Sequence, residues 1–230
     1  MNSFDSHSRK RITLKAIIFG APGSGKGTYS SRLKDILGVE VVSMGDVFRA
    51  MMKENNILGR VIKTYVEGGH FVPDIITNEV LRDIIEKMPK SRGFILDGYP
   101  RTLVQAEMLD KITSIDVIMQ LVVPDWIIIE RLSSRRICKN CGTVYNVRFL
   151  KPKIEGVCDK CGGPLYLRPD DSPDVIKKRL DLYEKETSPL LNFYKAKNVP
   201  FIVNTVDSLD YPPEKAVAHF MTELKKLKLA

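Results

Sequence analysis

The stretch that decides the fold is Gly20-Ala21-Pro22-Gly23-Ser24-Gly25-Lys26-Gly27-Thr28. It follows the apolar run 16–19 and precedes a helix-like segment, 29–37. A strand, a glycine-rich loop and a helix in this order form the setting of a phosphate-binding loop. The glycines let backbone N–H groups turn inward, the helix N-terminus adds positive potential, and Lys26 can reach outer phosphates. The stretch therefore predicts a site for a polyphosphate.

One position of this loop departs from the common pattern. Gly27 follows the lysine where a serine or threonine would coordinate Mg²⁺, and Thr28 comes one residue later. Another group must therefore hold a metal ion. A glycine-rich turn without a ligand is the alternative interpretation, and the agreement of strand, loop, lysine and helix argues against it.

The rest of the chain alternates short apolar runs with helical patterns, which predicts a parallel α/β fold. Five such strands, separated by helices, predict a doubly wound P-loop sheet that is flanked by helices and binds ligands at the carboxyl ends of its strands. The predicted strands are 15–19, 39–43, 93–97, 115–122 and 200–204.

Two stretches interrupt this alternation. Residues 43–92 are helical throughout, with breaks at 55–56, 68–69 and 72–73, which indicates a small helical subdomain. Residues 137–168 are rich in cysteine, glycine and aromatic residues and contain short β-like runs, which indicates an inserted module. After that module we expect a long helix from Asp171 or Ser172 to about residue 197, and a last helix that ends near residue 228.

Composition is typical of a soluble globular protein. The 230 residues are 43% hydrophobic and 28% charged, and no apolar run approaches the ~18–20 residues of a membrane span. The formal charge of +8 favours acidic partners, either nucleic acid or nucleotide phosphates. Residues 1–14 are predicted to form an N-terminal tail; the polar opening 1–10 lacks a secretory signal, so we expect a cytoplasmic protein, with a mitochondrial address as the alternative.

All four cysteines belong to one pattern. Cys138 and Cys141 form a C-x2-C pair, and after sixteen residues Cys158 and Cys161 form a second pair. This spacing is typical of a four-thiolate zinc site, in which each pair closes a tight turn that ends in glycine. The pattern predicts a structural Zn²⁺ that folds the inserted module, because the four thiolates leave no position for water. Disulfides are the disfavoured alternative.

The second group of candidate site residues follows the predicted strand 93–97. Asp97 ends this strand beside the phosphate loop, where a carboxylate can hold a Mg²⁺-bound water. Gly98 and Pro100 turn the chain, so that Arg101 and Gln105 can share one face of the next helix. An arginine binds phosphate bidentately, and a glutamine amide can pair with a purine edge.

Taken together, these motifs resemble the adenylate kinase family, in the long form whose lid carries a zinc site. The resemblance runs from Lys15 to the C-terminus and includes the segments 43–49 and 168–179. It implies a core formed by 15–44, 91–136 and 169–230, an arm for the monophosphate at 45–90, and a zinc-stabilised β lid at 137–168.

The resemblance implies that the loop amides and Lys26 hold the ATP phosphates while Arg131 covers the ATP base. The donor-binding residues implied in this way are Gly23, Ser24, Gly25, Lys26, Gly27, Thr28 and Arg131.

At the acceptor end, the resemblance implies that Arg49 and Arg101 bind the AMP phosphate, beside Gly98, and that Gln105 recognises adenine. Met44 departs from the family, which commonly has threonine at this position near the AMP base and ribose. Methionine keeps the volume and loses the hydroxyl, so acceptor choice is less strictly defined.

Val72, with Phe71, is predicted to complete an apolar slot for the acceptor base; an ordinary place in the core is the equal alternative. Arg131 and Arg135 are expected four residues apart on the helix after Pro124, with both guanidiniums on one face.

The transferring phosphate is implied to lie among Arg135, Arg168 and Arg179, with Asp170 and Asp171 at the hinge of the lid. Seven proposed cations account for most of the formal charge of +8, which weakens the nucleic-acid interpretation.

These observations predict an adenylate kinase that transfers a phosphoryl group from Mg²⁺-bound ATP to AMP and forms two ADP. GTP as the donor, or another monophosphate kinase, is the alternative within the class. A zinc-ribbon adaptor that binds nucleotide without catalysis is a more distant one. We expect a monomer that binds ATP, AMP and ADP, without nucleic-acid or membrane partners.

Overall fold

We describe the protein from a computed structural model, which covers residues 13–54, 56–89 and 91–230. Most of the predicted N-terminal tail lies outside these residues. The helices are α1 (Lys26–Leu37), α2 (Met44–Met51), α3 (Ile57–Glu67), α4 (Asp74–Lys87), α5 (Leu103–Ile112), α6 (Asp125–Ser133), α7 (Pro173–Leu182), α8 (Leu190–Ala196) and α9 (Pro213–Lys226). The strands are β1 (Lys15–Phe19), β2 (Glu40–Ser43), β3 (Phe94–Asp97), β4 (Val117–Val122), β5 (Arg135–Cys138), β6 (Val144–Asn146), β7 (Leu165–Tyr166) and β8 (Phe201–Thr205).

Five strands form one parallel sheet in the order β2-β3-β1-β4-β8. The predicted fold class is therefore confirmed. Asp97, the last residue of β3, is in register with Ile18 of β1 on one side and with Ser43 of β2 on the other. The carboxyl end of the sheet thus brings the phosphate loop, the start of α2 and Asp97 to the same edge.

Both faces of the sheet are buried, as the continuous apolar character of β1 requires. Ala16 and Ile18 pack in a cluster that includes residues of α1 and α9. Ile17 and Phe19 point to the other face, into a second cluster that includes residues of α2, α3, α4, α5 and α8. The side chains of β1 alternate between the two faces with the period of two that a strand imposes. The loop after β1 is therefore anchored from both sides.

The predicted helical subdomain consists of α2, α3 and α4. Gly68 ends α3, and Gly69 follows in the left-handed conformation (φ 72°). Pro73 then precedes α4, whose Leu81 lies in the same buried cluster as Leu109 of α5. The helix α4 is thus built into the core, although it falls inside the predicted arm, 45–90.

The structure corrects the predicted position of Arg135. Helix α6 ends at Ser133, so Arg135 does not share a helix face with Arg131 and instead begins β5. The amide of Asn146 donates to the Ser134 hydroxyl (2.8 Å), next to the point where Arg135 pairs with Asn146 across β5 and β6. Pairing of β5 with β6 thus takes the place of a further turn of α6. The lid sheet, in the order β6-β5-β7, thus begins two residues before the predicted boundary at 137.

The predicted long helix after residue 172 is also divided. Ser172 precedes α7, which ends at Leu182 and continues as a π-helical turn, Tyr183–Thr187, before α8 begins at Leu190. Pro189 lacks the backbone N–H that a continuous helix would need at this position. The turn brings Tyr183 and Thr187 to the wall of a cleft.

In the part of the chain that the structure describes, no helix combines the length and the apolar character that crossing a membrane demands.

Replacing Leu81 by Ala should destabilise the fold by ~2–5 kcal/mol, because this fully buried side chain would leave a cavity. Ile75→Ala is the matched control on the same helix: its side chain is 74% exposed, and the change should stay within ~0.5 kcal/mol. Urea unfolding of both variants measures the difference. Equal losses of stability would show that α4 does not contribute to the core as described.

Candidate active site

A cleft of about 850 Å³ lies at the carboxyl end of the parallel sheet. Its walls come from the phosphate loop, from α2, from the turn after β3 and from the lid, which contributes Val144, Tyr145 and Phe149. All seven of the predicted cations, which are dispersed along the sequence, line this one space: Lys26, Arg49, Arg101, Arg131, Arg135, Arg168 and Arg179. Arg32 of α1 also lines it and pairs with Glu214.

The phosphate loop owes its shape to its glycines. Gly23 and Gly25 have φ angles of 82° and 100°, a conformation that other residues rarely adopt. A methyl group on Gly23 would also lie 2.7 Å from the Leu132 side chain. Lys26 begins α1, and its ammonium group donates to the carbonyls of Gly20 (2.6 Å) and Ala21 (2.9 Å). The ammonium group therefore lies across the loop.

The environment lowers the pKa of Lys26 to about 8. Removal of the ammonium group from water is the main cause; Asp97 opposes it, and Arg101 and other guanidiniums add to the lowering. The ammonium group of this lysine is therefore poorly solvated, and Asp97 compensates for only part of the cost. An anion bound in the loop would reverse the shift.

Asp97 is an acidic residue that lies beside the first turn of α1. It is 8% exposed, and burial raises its pKa, while Lys26 and Arg101 act in the opposite direction. A methyl group on Gly27 would lie 3.6 Å from a carboxylate oxygen of Asp97, so this oxygen faces the first turn of α1. Carboxylate oxygen is the ligand type that Mg²⁺ prefers, directly or through water. The position of Asp97 thus fits a hydrated Mg²⁺ beside the phosphate loop.

The guanidinium of Arg101 is held on two sides. Its Nε donates to the carbonyl of Gly98 (2.9 Å), and the ring of Phe71 lies 5.4 Å from the guanidinium carbon. Gly98 has a φ of 76°, and a methyl group there would lie 2.9 Å from an Nη atom of Arg101. Burial, with a further effect of Arg179, lowers the pKa of Arg101 to about 10. Neither Nη atom donates to a described residue, which leaves both for a ligand.

Two acidic residues hold two of the arginines. Asp171 has a fully buried carboxylate that accepts from Arg135 Nε (2.8 Å) and Nη2 (2.6 Å). Arg179 reaches the same carboxylate at 3.3 Å and also contacts Asp170, with 3.0 Å between their side chains. Asp170 and Asp171 lie in a 3-10 turn, 169–171, between the lid and α7. Charge pairing at this turn therefore orients both guanidiniums in the absence of a nucleotide.

Arg168 has no such partner for its Nε, which is buried without a hydrogen bond. Burial, with Arg49 and Arg135 nearby, lowers the pKa of Arg168 to about 10. Arg49 pairs with Asp46 (2.6 Å), and Arg131 donates to the carbonyls of residues 208 and 209 at 3.3 Å. A phosphate oxygen could accept the hydrogen bond that the Nε of Arg168 does not make within the protein.

Three residues predicted for the acceptor base do not line the cleft. Met44 (1% exposed) and Val72 (5%) belong to the buried cluster below α2. Gln105 is 1% exposed, and both ends of its amide are bonded to protein groups. Their sequence neighbours Phe71 and Arg101 line the cleft instead.

The cleft also contains residues that the sequence reasoning did not single out. Tyr29 lies four residues after Gly25 on α1, and a methyl group on that glycine would be 2.9 Å from the tyrosine ring. Helical spacing from the loop could have identified it. Tyr211 and Thr187 also line the cleft, and neither carries a motif. Asp46 lies within the segment 43–49, and its position three residues before Arg49 on α2 could have predicted their ion pair.

The four cysteines come together in the lid. Their sulfur atoms all lie within 4.8 Å of one another, with 3.4 Å between Cys138 and Cys161 and 3.6 Å between Cys141 and Cys158. Four thiolates at ~2.3 Å from a tetrahedral zinc would be about 3.8 Å apart. The observed distances of 3.4 and 3.6 Å between the sulfur atoms are much longer than the ~2.05 Å bond of a disulfide. The cluster is therefore consistent with a zinc ion.

The backbone around the cysteines forms two matching turns. In each, the N–H of the glycine after the second cysteine donates to the carbonyl of the first: Gly142 to Cys138 (3.0 Å) and Gly162 to Cys158 (2.8 Å). The Tyr145 hydroxyl, 3.5 Å from the sulfur of Cys158, lowers the pKa of this thiol to about 6. The sequence prediction of one four-cysteine cluster is confirmed.

Comparison with known proteins agrees with this geometry. A family model described as "Adenylate kinase" matches residues 18–199. An adenylate kinase of Caldicellulosiruptor bescii is 44% identical over 191 residues, which cover 81% of this chain and 89% of that protein. Proteins of the same name from Symbiobacterium thermophilum (42%; 88% and 94% covered) and Thermosipho melanesiensis (41%; 83% and 92%) are also similar. The chain therefore belongs to the adenylate kinase family of nucleoside monophosphate kinases.

Proposed function

We propose that the cleft binds ATP and AMP together and transfers the terminal phosphoryl group from one to the other, forming two ADP. The observation that carries this proposal is the convergence of the seven predicted cations around a phosphate loop in one space of about 850 Å³. Phosphoryl transfer requires positioning and stabilisation of negative charge, with little covalent participation of the protein. The site offers positive charge at high density for that purpose.

In this proposal the donor occupies the loop end of the cleft. Lys26 exchanges its two carbonyl contacts for the outer phosphates of ATP, whose charge favours the ammonium form. The glycine loop and Thr28 surround the inner phosphates. Arg131 covers the base, held in place by the carbonyls of residues 208 and 209. The remaining donor-binding residues are Gly23, Ser24, Gly25 and Gly27.

The acceptor phosphate lies between Arg49 and Arg101. The free Nη atoms of Arg101 can chelate two phosphate oxygens, because Gly98 and Phe71 already fix the rest of its guanidinium. Met44, Val72 and Gln105 remain predictions for the base. For them to contact a base, the wall between them and the cleft must rearrange.

Transfer occurs among Arg135, Arg168 and Arg179. An oxygen of the AMP phosphate attacks the γ-phosphorus of ATP as the bond to the β,γ-bridging oxygen breaks, and negative charge moves onto the departing ADP. The guanidiniums stabilise this charge, since they are already gathered and desolvated. Asp170 and Asp171 hold two of them in position before the nucleotides bind.

Asp97 would hold Mg²⁺ through water beside Gly27. When bound, Mg²⁺ neutralises charge on the β- and γ-phosphates and orients them. Burial raises the pKa of Asp97, and a cation next to its carboxylate would lower this pKa again. This assignment explains why the loop can lack a hydroxyl at position 27.

Cys138, Cys141, Cys158 and Cys161 would hold Zn²⁺ as a structural ion. A zinc ion with four thiolates supplies folding energy to a module whose buried cluster contains little beyond two of the cysteines and Tyr145. We propose that this lid closes the cleft against water, which would otherwise accept the phosphoryl group. We propose that this lid starts at residue 135, where β5 begins, and that the arm for the monophosphate is formed mainly by α2 and α3.

A panel of ATP, GTP, CTP and UTP against AMP, GMP, CMP and UMP, with ADP-type products measured, tests the proposed function. We expect ATP with AMP to be the most efficient pair by kcat/KM. Lys26→Met should lower turnover by about three orders of magnitude or more, because it removes a charge from the transition state. Lys34→Met, on the exposed side of α1, is the matched control. A wild-type preference for another pair would contradict the assignment.

Binding of the donor should take up a proton at alkaline pH. With a pKa of about 8, Lys26 is mostly neutral at pH 9 in the free protein and becomes charged next to phosphates. Calorimetry of ATP binding at pH 9, in buffers with different ionisation heats, measures this uptake. At pH 7 Lys26 is already charged and should contribute none. Lys26→Arg stays charged throughout and should abolish the uptake; persistent uptake would assign the proton to another group.

Replacing Cys158 and Cys161 by Ser should remove the zinc and lower the melting temperature of the lid, because two of four ligands are lost. The zinc content per chain, by mass spectrometry, should fall from one to zero. Ser133→Ala, outside the cysteine cluster, serves as the control with full zinc content. An unchanged zinc content in the double variant would contradict the structural site.

A further inference from the structure

Two hydroxyl groups of the lid contact the cysteine cluster. The Tyr145 hydroxyl lies 3.5 Å from the sulfur of Cys158, and the Thr143 hydroxyl lies 3.1 Å from the sulfur of Cys141. Each of the two cysteine pairs therefore has one member in contact with a hydroxyl. The spacing of the cysteines along the chain identifies the four sulfur atoms, whereas these two contacts are visible only in the folded lid.

Strand β6 places both hydroxyls. Tyr145 is the central residue of β6 and pairs with Arg136 of β5, and Thr143 directly precedes the strand. Side chains two residues apart on an extended chain share one face. The backbone of Thr143 is also held, because its carbonyl accepts from the N–H of Cys138 (2.9 Å). One face of this short segment thus presents a hydroxyl to each cysteine pair.

The partners of the Tyr145 hydroxyl fix the direction of its hydrogen bond. The backbone N–H of Asp159 donates to this oxygen (2.7 Å), and an N–H can only donate. The hydroxyl hydrogen is therefore left for the sulfur of Cys158. The tyrosine is 5% exposed and packs in the same small cluster as Cys138 and Cys158. Because little water reaches this cluster, the hydrogen bond is stronger than one at the surface.

A site with four thiolates needs such donors. Four thiolates carry four negative charges, and a Zn²⁺ ion neutralises two of them. A sulfur that binds the metal has no proton, so it can only accept, and both hydroxyls must then donate to sulfur. Hydrogen bonds of this kind orient the ligands of a metal and strengthen its binding.

We propose that Tyr145 and Thr143 are positioning residues of the metal site, which help to retain zinc in the lid by donating hydrogen bonds to the thiolates of Cys158 and Cys141. The proposal rests on the proposed function, in which the four cysteines hold a structural Zn²⁺. Tyr145 makes the larger contribution, because its bond is buried, whereas Cys141 is exposed and water competes for its sulfur.

The experiment compares Tyr145→Phe, Thr143→Val and Thr143→Ser with the wild-type protein, each as the full chain loaded with zinc. Phenylalanine keeps the ring of tyrosine, and valine keeps the shape of threonine, so each change removes only a hydroxyl. Tyr166→Phe is the matched control: Tyr166 lies on β7 of the same sheet, and its ring, which phenylalanine keeps, contacts Lys139. Zinc affinity by competition and the rate of zinc transfer to an excess of a chromogenic chelator are measured.

We expect Tyr145→Phe to lower the zinc affinity ~10-fold and to accelerate zinc transfer, because the loss of a hydrogen bond to a metal ligand has an effect of this size. Thr143→Val should act in the same direction by a smaller factor, and Thr143→Ser, which keeps the hydroxyl, should restore most of the loss. Tyr166→Phe should stay within about 2-fold of wild type. Wild-type zinc affinity in Tyr145→Phe would overturn the proposal.

Two further measurements separate this role from a purely structural one. Tyr145→Phe should lower the melting temperature more in the zinc-loaded protein than in the metal-free protein. With Co²⁺ in place of zinc, the thiolate-to-metal charge-transfer band of Tyr145→Phe should move to longer wavelength, because a thiolate that loses a hydrogen bond gives up charge more easily. An equal loss of stability in both forms, with an unshifted band, would show that the hydroxyl acts on the fold alone and would overturn the proposal.

The zinc content of the wild-type protein distinguishes failure of this proposal from failure of the proposed zinc site. If the wild type holds one zinc per chain and Tyr145→Phe releases it at the wild-type rate, only the role of the hydroxyl is wrong. If the wild type holds no zinc after loading and dialysis, the zinc assignment fails first, and the role of Tyr145 and Thr143 fails with it.

Discussion

The cations that line the cleft repel one another, and the fold must hold them together. Lys26, Arg101, Arg168 and Arg179 all have lowered pKa values, because each is removed from water and close to other cations. A fold that gathers such groups must hold them against their mutual repulsion. The free energy for this comes from the two buried clusters on the faces of the parallel sheet.

Hydrogen bonds and ion pairs within the protein then orient these cations without fully neutralising their charge. Backbone carbonyls accept from Lys26, Arg101 and Arg131, since a carbonyl dipole directs a cation but carries no net charge. Full carboxylates are used at the turn 169–171, where Asp171 is shared between two arginines. The site therefore keeps excess positive charge, as the proposed binding of two nucleotides that repel each other requires.

The lid must be stabilised in another way, because it is too small to form a hydrophobic core of its own. Its buried cluster consists mainly of Cys138, Cys158 and Tyr145. Two cysteine turns with identical backbone hydrogen bonds bring the four sulfurs together. The strand β5 runs from Arg135 to Cys138, so an arginine of the cleft and a member of the cysteine cluster share one short strand.

The sequence by itself determined the features that depend on neighbours along the chain. The phosphate loop, the cysteine turns and the order of strands and helices follow from glycine conformation, ligand spacing and apolar periodicity. The tertiary structure decided where distant groups meet: the strand order β2-β3-β1-β4-β8 is not the chain order, and it alone brings Asp97 beside Gly27. It also ended α6 before Arg135 and bonded Gln105 to Asp74, because pairing across the lid sheet and between α4 and α5 depends on contacts that no local pattern encodes.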